Sequence, residues 1–208
     1  MTEPLSVFDR PNSYIGRTVA RPNARRLLEG RGRFVDDLTL PRMVHAAFVR
    51  SPHAHARIRA IDTAEARVAE GVVAVFTGAE LAEHVTPWVG VLTHLKGLRS
   101  APQYPLAVGT SRWQGEPVAM VLAESRALAE DSCALVSVEY EPLPAACDME
   151  RALEPDAPVI HSDFGGNLAW ERLVEHGDAD AAFARDDVTI VERTFRFGRH
   201  TGVTLEPR

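Results

Sequence analysis

Apolar residues are most densely grouped in RWQGEPVAMVLAES, residues 112–125. A tight turn at Gln114-Gly115-Glu116-Pro117 leads into an apolar run from Pro117 to Ala123, which predicts a strand. Val118, Met120 and Leu122 fall on one face, and Ala119, Val121 and Ala123 on the other. Neither face is polar, so both are expected to be covered: the large side chains by a core layer, the small ones by an element packed close. Ser125 then stands where a helix cap belongs. This strand is the expected centre of a small α/β domain.

The same pattern places the other elements. Pro41 opens a strand in MVHAAFVR, Ser51-Pro52 ends it, and ARIRAID supplies a second. Asp62 with Glu65 has the spacing of a capping box, and Gly71 that of a helix stop. VVAVFT, Val72 to Thr77, predicts a buried strand, followed by a short helix from Ala79 to His84. Residues 85–104 lose periodicity around Pro87, Gly90, Gly97 and Pro102, a loop long enough for a docking or lid role. Ser125 to Leu135 predicts a helix whose apolar arc is Leu128, Ala129, Ser132, Cys133 and Leu135, with Arg126, Glu130 and Asp131 opposite. VSVEY follows as a strand with Val136, Val138 and Tyr140 inward, stopped by Pro142 and Pro144. Strand, helix, strand thus occurs at 57–76 and 117–140, for which parallel crossovers are the usual solution.

The flanks differ. Residues 1–40 read as an extended arm broken by Pro4, Pro11, Asn12, Gly16, Pro22, Gly30 and Gly32, with a short helix around Asn23 to Glu29. It packs on something or is a tail. Residues 41–150 form the α/β domain, and 151–208 a linker and a new beginning. Glu154 to Pro158 looks like the linker, Asn167 to Glu175 a strand, and Asp178 the cap of a short helix. In DVTIVERTFRF, Thr189, Val191, Phe195 and Phe197 share a face, with no evident sheet partner upstream. The pattern breaks off at TLEPR.

Composition narrows the classes. A net charge of -6 over 208 residues argues against a dedicated nucleic-acid binder, which needs a basic face. No run reaches the ~18 apolar residues of a membrane span, and MTEPLSVFDR lacks a secretory pattern. Cys133 and Cys147 are too few for a disulfide framework. The expected compartment is the cytoplasm.

Candidate chemistry is thin. His53 and His55 could share a strand face as a metal pair, but no carboxylate or cysteine lies near to complete the site. Gly30-Arg31-Gly32 and Gly115-Glu116 match no phosphate-binding fingerprint. Glu116 could act as an acid or base with His45, His94 or His161, although no spacing fixes such a pair. Cys133 lies in a buried arc, and Ser51, Ser111 and Ser125 lack a nucleophile-elbow context. No catalytic, cofactor-binding or metal-ligating residue is assigned.

Four stretches carry a resemblance: GRGRFVDDLTLPRMVHAAFVRSPHAHARIRAID, GVVAVFTGAEL, WQGEPVAMVLAES and VEYEPLPA. In this order they resemble the N-terminal part of the large subunit of the molybdenum hydroxylases, the family of xanthine dehydrogenase, aldehyde oxidase and aerobic carbon monoxide dehydrogenase. The resemblance implies an α/β hammerhead domain with a mixed sheet. It also implies that GNLAWERLVEHGDADAAFARDDVTIVERTFRFGRHTGVTLEPR holds the first strands of a molybdenum-cofactor domain. The implied activity is oxidation of a C–H bond, aldehyde, N-heterocycle or carbon monoxide with water as oxygen source. The molybdenum-molybdopterin cofactor would sit in the complete subunit, and 2Fe-2S clusters and FAD in partner subunits. The catalytic glutamate and pterin loops would lie further along, so this chain is expected to be a structural portion, from a longer subunit or a split gene, inactive alone and prone to self-association. The alternative is a free-standing hammerhead-fold interaction module.

Overall fold

The computed structural model describes residue 14, residues 16–90, residue 92 and residues 94–198. The expected breakers at Pro4, Pro11 and Asn12 and the stretch from His200 to Arg208 lie outside these. Of the described residues, those up to Leu40 and from Arg193 onward form one compact unit, and Pro41–Glu192 another.

In the first unit, α1 spans Ala24–Leu28, inside the expected helix, and buries no residue. Glu29 ends it, bridging Arg25 at 2.7 Å and also Arg31. These guanidiniums hold the Glu29 carboxyl below its ordinary range, Arg25 most strongly. A short 3-10 turn follows at Val35–Asp37, where the Asp37 carboxylate accepts the Phe34 N–H at 2.9 Å.

The second unit is built on six strands. They are β1 (His45–Arg50), β2 (Ala56–Asp62), β3 (Val72–Thr77), β4 (Thr110–Ser111), β5 (Pro117–Ala123) and β6 (Ser137–Pro142). Helices α2 (Ala64–Val68) and α3 (Gly78–Ala82) flank β3, α4 (Arg126–Cys133) follows β5, and α5 (Ala179–Phe183) comes last. One three-stranded sheet has the order β1-β5-β3 and the other β4-β2-β6. Every strand pairing among the described residues is antiparallel, so the expected mixed sheet and parallel crossovers are not found there. The reason is where each unit delivers the chain. From β2 through α2 to β3, and from β5 through α4 to β6, the chain passes from one sheet to the other, and only a crossover returning to its own sheet makes a parallel pair.

The central strand has its expected bounds and is bonded on both edges. Val121 stands between Ala47 and Val75, and Met120 between Phe48 and Phe76. The core, however, lies on the small-residue face. Ala119 and Val121 are fully buried with Ala66, Val75 and Val136, while Ala123 packs with Ala47 and Ala129 of α4. Small side chains on both partners let the helix lie close to the sheet, and that close approach excludes water completely. On the other face Val118 is also fully buried, while Phe48, Met120 and Phe76 are only partly covered, with Phe48 41 % exposed.

Capping follows local chemistry, with one shift. Ser125 accepts the Leu128 N–H at 3.2 Å and starts α4 as expected. Leu135, placed in the apolar arc, instead lies beyond the helix and is 41 % exposed. The capping box expected at Asp62 and Glu65 is absent; Thr63 is the first cap residue, and Asp62 accepts the Ala64 N–H instead. A true box forms one helix later, where Thr77 and Glu80 exchange bonds at the start of α3. Gly71 adopts φ +73°, and a β-carbon there would meet Leu128 Cδ1 at 2.5 Å. Glycine is therefore favoured by the turn, and a side chain there would also displace the end of Leu128.

Beyond β6 the expected strands are not formed. Residues 167–175 are irregular because their anchors are loops. Asn167 accepts the Ile160 N–H at 3.1 Å and donates to the Ala152 and Pro158 carbonyls at 2.9 and 2.8 Å. The Arg99 backbone N–H donates to Ala169 O at 2.9 Å, and its guanidinium to Phe164 O at 2.6 Å and to Leu168 O. Residues 187–197 find no ladder among the described residues; Val191 is 73 % exposed and Phe195 77 %. Asp178 does cap α5, accepting the Ala181 N–H at 2.9 Å.

Enlarging the small face should be costly: Ala119→Leu is expected to lose about 1–3 kcal/mol in urea unfolding, as overpacked cores do. Asn167→Ala strands three backbone groups. It should lose about 1–3 kcal/mol, at 0.5–1.5 per hydrogen bond with some rescue by water, and speed hydrogen exchange selectively over residues 152–169.

Candidate functional site

The turn before β5 organises the polar part of the second unit. Glu116 N donates to Trp113 O at 3.2 Å, so the turn runs from Trp113 to Glu116, one residue earlier than expected. Gly115 takes φ +89° at its third position, the requirement of a type II turn. The Ser51 N–H donates to Glu116 O at 2.9 Å, and the Gly115 N–H to Ser51 O at 2.7 Å. These bonds tie the turn to the end of β1.

Behind the turn lies a buried polar knot. The Ser51 and Ser111 hydroxyls bond each other at 2.9 Å, and Ser51 Oγ also accepts the His53 N–H at 3.2 Å. Glu116 is 5 % exposed, and its Oε2 accepts the Arg112 N–H at 2.5 Å. Burial raises the Glu116 pKa; the Arg112 N–H, the Arg112 charge and the Trp113 N–H act against it. The nucleophile reading of the serines gains nothing, because their partners are each other and the backbone. Ser125 is used as a helix cap.

The histidines separate. His55 Nδ1 lies 2.7 Å from Pro144 O, closing the corner against the end of β6, and the His53 ring meets Tyr140 edge-on with centroids 5.0 Å apart. The expected common strand face does not exist, because 52–55 is a bent corner between β1 and β2. His45 begins β1 opposite Ala123, and His94 is exposed on the long loop. His161, by contrast, reaches the same cleft as Glu116. Cys133 is half buried, and burial, then Glu130, pushes its thiol up. Gly30 and Gly32 belong to the first unit, where Gly30 has φ +68°.

The cleft has a volume of about 420 Å³, with Trp88, Tyr104, Arg112, Trp113, His161 and Asp163 along its walls. The long loop contributes Trp88, held by paired backbone bonds with Gln103 at 2.9 and 2.8 Å. Burial lowers the His161 pKa, as do the Arg112 and His55 charges, while Asp163 opposes them. Glu116 and His161 line this cleft together and share no hydrogen bond. Sequence reading flagged the loop but not the cleft, whose walls come from three distant stretches.

Among the described residues no group of three or more His, Cys, Asp or Glu is arranged to hold a metal ion, and no helix is long and apolar enough to cross a membrane.

Glu116 gives a pH signature. A carboxyl whose pKa rises on folding binds its proton more tightly in the folded state. Its contribution is complete below the ordinary value of 4.5 and lost as pH climbs through the raised folded value. Glu80, lowered chiefly by the Thr77 N–H, has the opposite trend. The difference between wild type and Glu116→Gln isolates the effect, since the amide keeps a carbonyl for the Arg112 N–H. The wild-type advantage in unfolding free energy should shrink as pH rises from 4.5; a pH-independent difference would contradict the assignment.

Comparison with known proteins follows this geometry. The profile described as "Aldehyde oxidase and xanthine dehydrogenase, a/b hammerhead domain" matches residues 29–144. The nicotine 6-hydroxylase large subunit of Paenarthrobacter nicotinovorans is 36 % identical over 209 residues, covering 97 % of this chain and 25 % of that protein. The carbon monoxide dehydrogenase large chain of Afipia carboxidovorans is 38 % identical over 177 residues, covering 78 % of this chain and 21 % of its own. Among solved structures, quinoline 2-oxidoreductase from Pseudomonas putida 86 matches with TM-score 0.68 and 45 % identity, over 73 % of this chain and 19 % of that one. The aldehyde oxidoreductase of Desulfovibrio gigas matches with TM-score 0.69 and 29 % identity, over 81 % and 19 %. The chain thus spans about a quarter of the length of these two curated relatives. With more than half of its residues in the profile and the same fold in the solved relatives, the chain belongs to the aldehyde oxidase and xanthine dehydrogenase family of molybdenum hydroxylases and carries its α/β hammerhead domain.

Proposed function

We propose that this chain is the structural N-terminal portion of a molybdenum hydroxylase large subunit and functions only with further polypeptide of that subunit. The observation that carries the reading is the state of residues 187–197. Ile190, Val191, Phe195 and Phe197 are 58, 73, 77 and 77 % exposed, and no described strand pairs with them. An alternating apolar segment left so open is suited to entering a sheet supplied from elsewhere. The well-buried core around β5 sits within the stretch matched by the hammerhead profile.

The assembly so completed is a molybdenum-dependent oxidoreductase of the cytoplasm, acting with iron–sulfur and FAD-bearing partner subunits. Its substrate is a small molecule oxidised at a C–H bond, an aldehyde, an N-heterocycle or carbon monoxide, with water as oxygen source. The names of the relatives, which include nicotine, carbon monoxide and quinoline, support this breadth and single out none of them. The part played by the residues described here is to scaffold the centre rather than to ligate it.

Native mass measurement with metal and flavin analysis, on untagged protein captured from its source organism, tests the reading. A heavy species carrying molybdenum, iron and flavin is expected. A metal-free species near 22.8 kDa would instead identify a free-standing hammerhead module that binds some other partner.

A further inference from the structure

We infer that the cleft walled by Trp88, Arg112 and Trp113 is the seat for an apolar side chain with an adjacent carboxylate, presented by large-subunit polypeptide beyond this chain. The inference rests on the proposed function and adds a defined docking point to it.

The first support is composition. Trp, Tyr and Arg dominate the energetics of protein interfaces, above all when gathered in one concavity. Trp88, Tyr104, Arg112 and Trp113 all line this cleft. Trp88 is 66 % exposed and Trp113 41 %, a large amount of indole surface to leave in water. The backbone pairing of Trp88 with Gln103 holds one anchor in place before any partner arrives, which lowers the entropy lost on docking.

The second support is charge. Arg112 takes part in no ion pair among the described residues. Its Nη1 reaches Thr110 O at 3.3 Å, and its Nε is buried without an acceptor. The nearby Glu116 carboxylate accepts the Arg112 backbone N–H rather than closing on the guanidinium. Asp163, which also lines the cleft, is exposed, and His161 is biased toward its neutral form by burial and by Arg112. A guanidinium that no carboxylate engages, lining the same cleft as two exposed indoles, suits a carboxylate flanked by an apolar group. A polypeptide suits it better than a small molecule, because Trp88 stands at the rim and only a broad partner would cover it. The relatives supply such a partner in principle, being about four times as long as the stretch matched here.

Hydroxyl-radical footprinting of the assembly captured from its source, beside the 208-residue chain alone, tests the inference. Trp88 and Trp113 should be several-fold less oxidised in the assembly. Trp88→Ala and Arg112→Met should each weaken retention of the chain by about tenfold or more, the scale of an interface anchor. Arg112→Lys should recover part of that loss, and Glu130→Gln, on the far side of α4, should change nothing. An assembly in which both indoles react as in the chain alone would overturn the docking point and leave the proposed function standing. Protection traced to a small compound released on denaturation would overturn it too. If no assembly forms, both readings fall together.

Discussion

Close packing on the small-residue face of β5 is the constraint on which the second unit depends. Ala119, Val121 and Ala123 have no exposed surface, and both edges of the strand are hydrogen-bonded. Alanine at Ala47 and Ala129 completes a contact in which backbone approaches backbone. Dispersion falls steeply with distance, so this contact tolerates no added volume. Placing α4 against this face also fixes where the chain re-enters the second sheet, since β6 begins three residues after Ala134, the helix cap.

The same strand sets the polar chemistry at its other end. Pro117 starts β5, and the residues before it must turn within four positions to meet the end of β1. The bonds from Ser51 and Gly115 carry that geometry into the knot of Ser51, Ser111 and Glu116. A buried carboxylate is costly unless hydrogen-bonded, and the Arg112 N–H supplies the bond. Arg112 and Trp113, at this turn, line the cleft together with Trp88 and Tyr104 of the long loop. The cleft is thus a consequence of how β5 begins, and not an independent feature of the surface.

Where information is local, the sequence was enough. Ala56 to Asp62, Val72 to Thr77 and Pro117 to Ala123 were each legible to the residue, because turn residues bracket apolar runs, and Ser125 was legible as a cap. The choice of partners was not legible. Alternation says that a strand has two faces but not which sheet receives it, so two strand–helix–strand units were read as parallel crossovers. The small face takes the closely packed element that its side chains predict, whereas the large face, expected to meet a core layer, is left partly open at Phe48. Asn167 and Arg99 act through backbone groups 7 to 69 residues away, and no local pattern announces such bonds. Glu116 and His161 are possible companions by chemistry alone, yet their meeting in one cleft depends on segments that only the fold brings together.

The outcome at residues 187–197 is the most informative. Period-two alternation is a property of the segment, but a strand is a property of a pair: its N–H and C=O groups need a ladder to become a sheet. Here the alternation is present and the ladder is not. Unlike the central strand, this segment finds no neighbour of matching pattern among the described residues, so its apolar side chains remain in water at a standing free-energy cost of about 25 cal/mol for each Å² of apolar area that a partner could cover. That cost is what couples the hammerhead to the polypeptide it is proposed to join. Burying Val191, Phe195 and Phe197 in a sheet supplied from elsewhere would favour association directly, without any change in the core around β5.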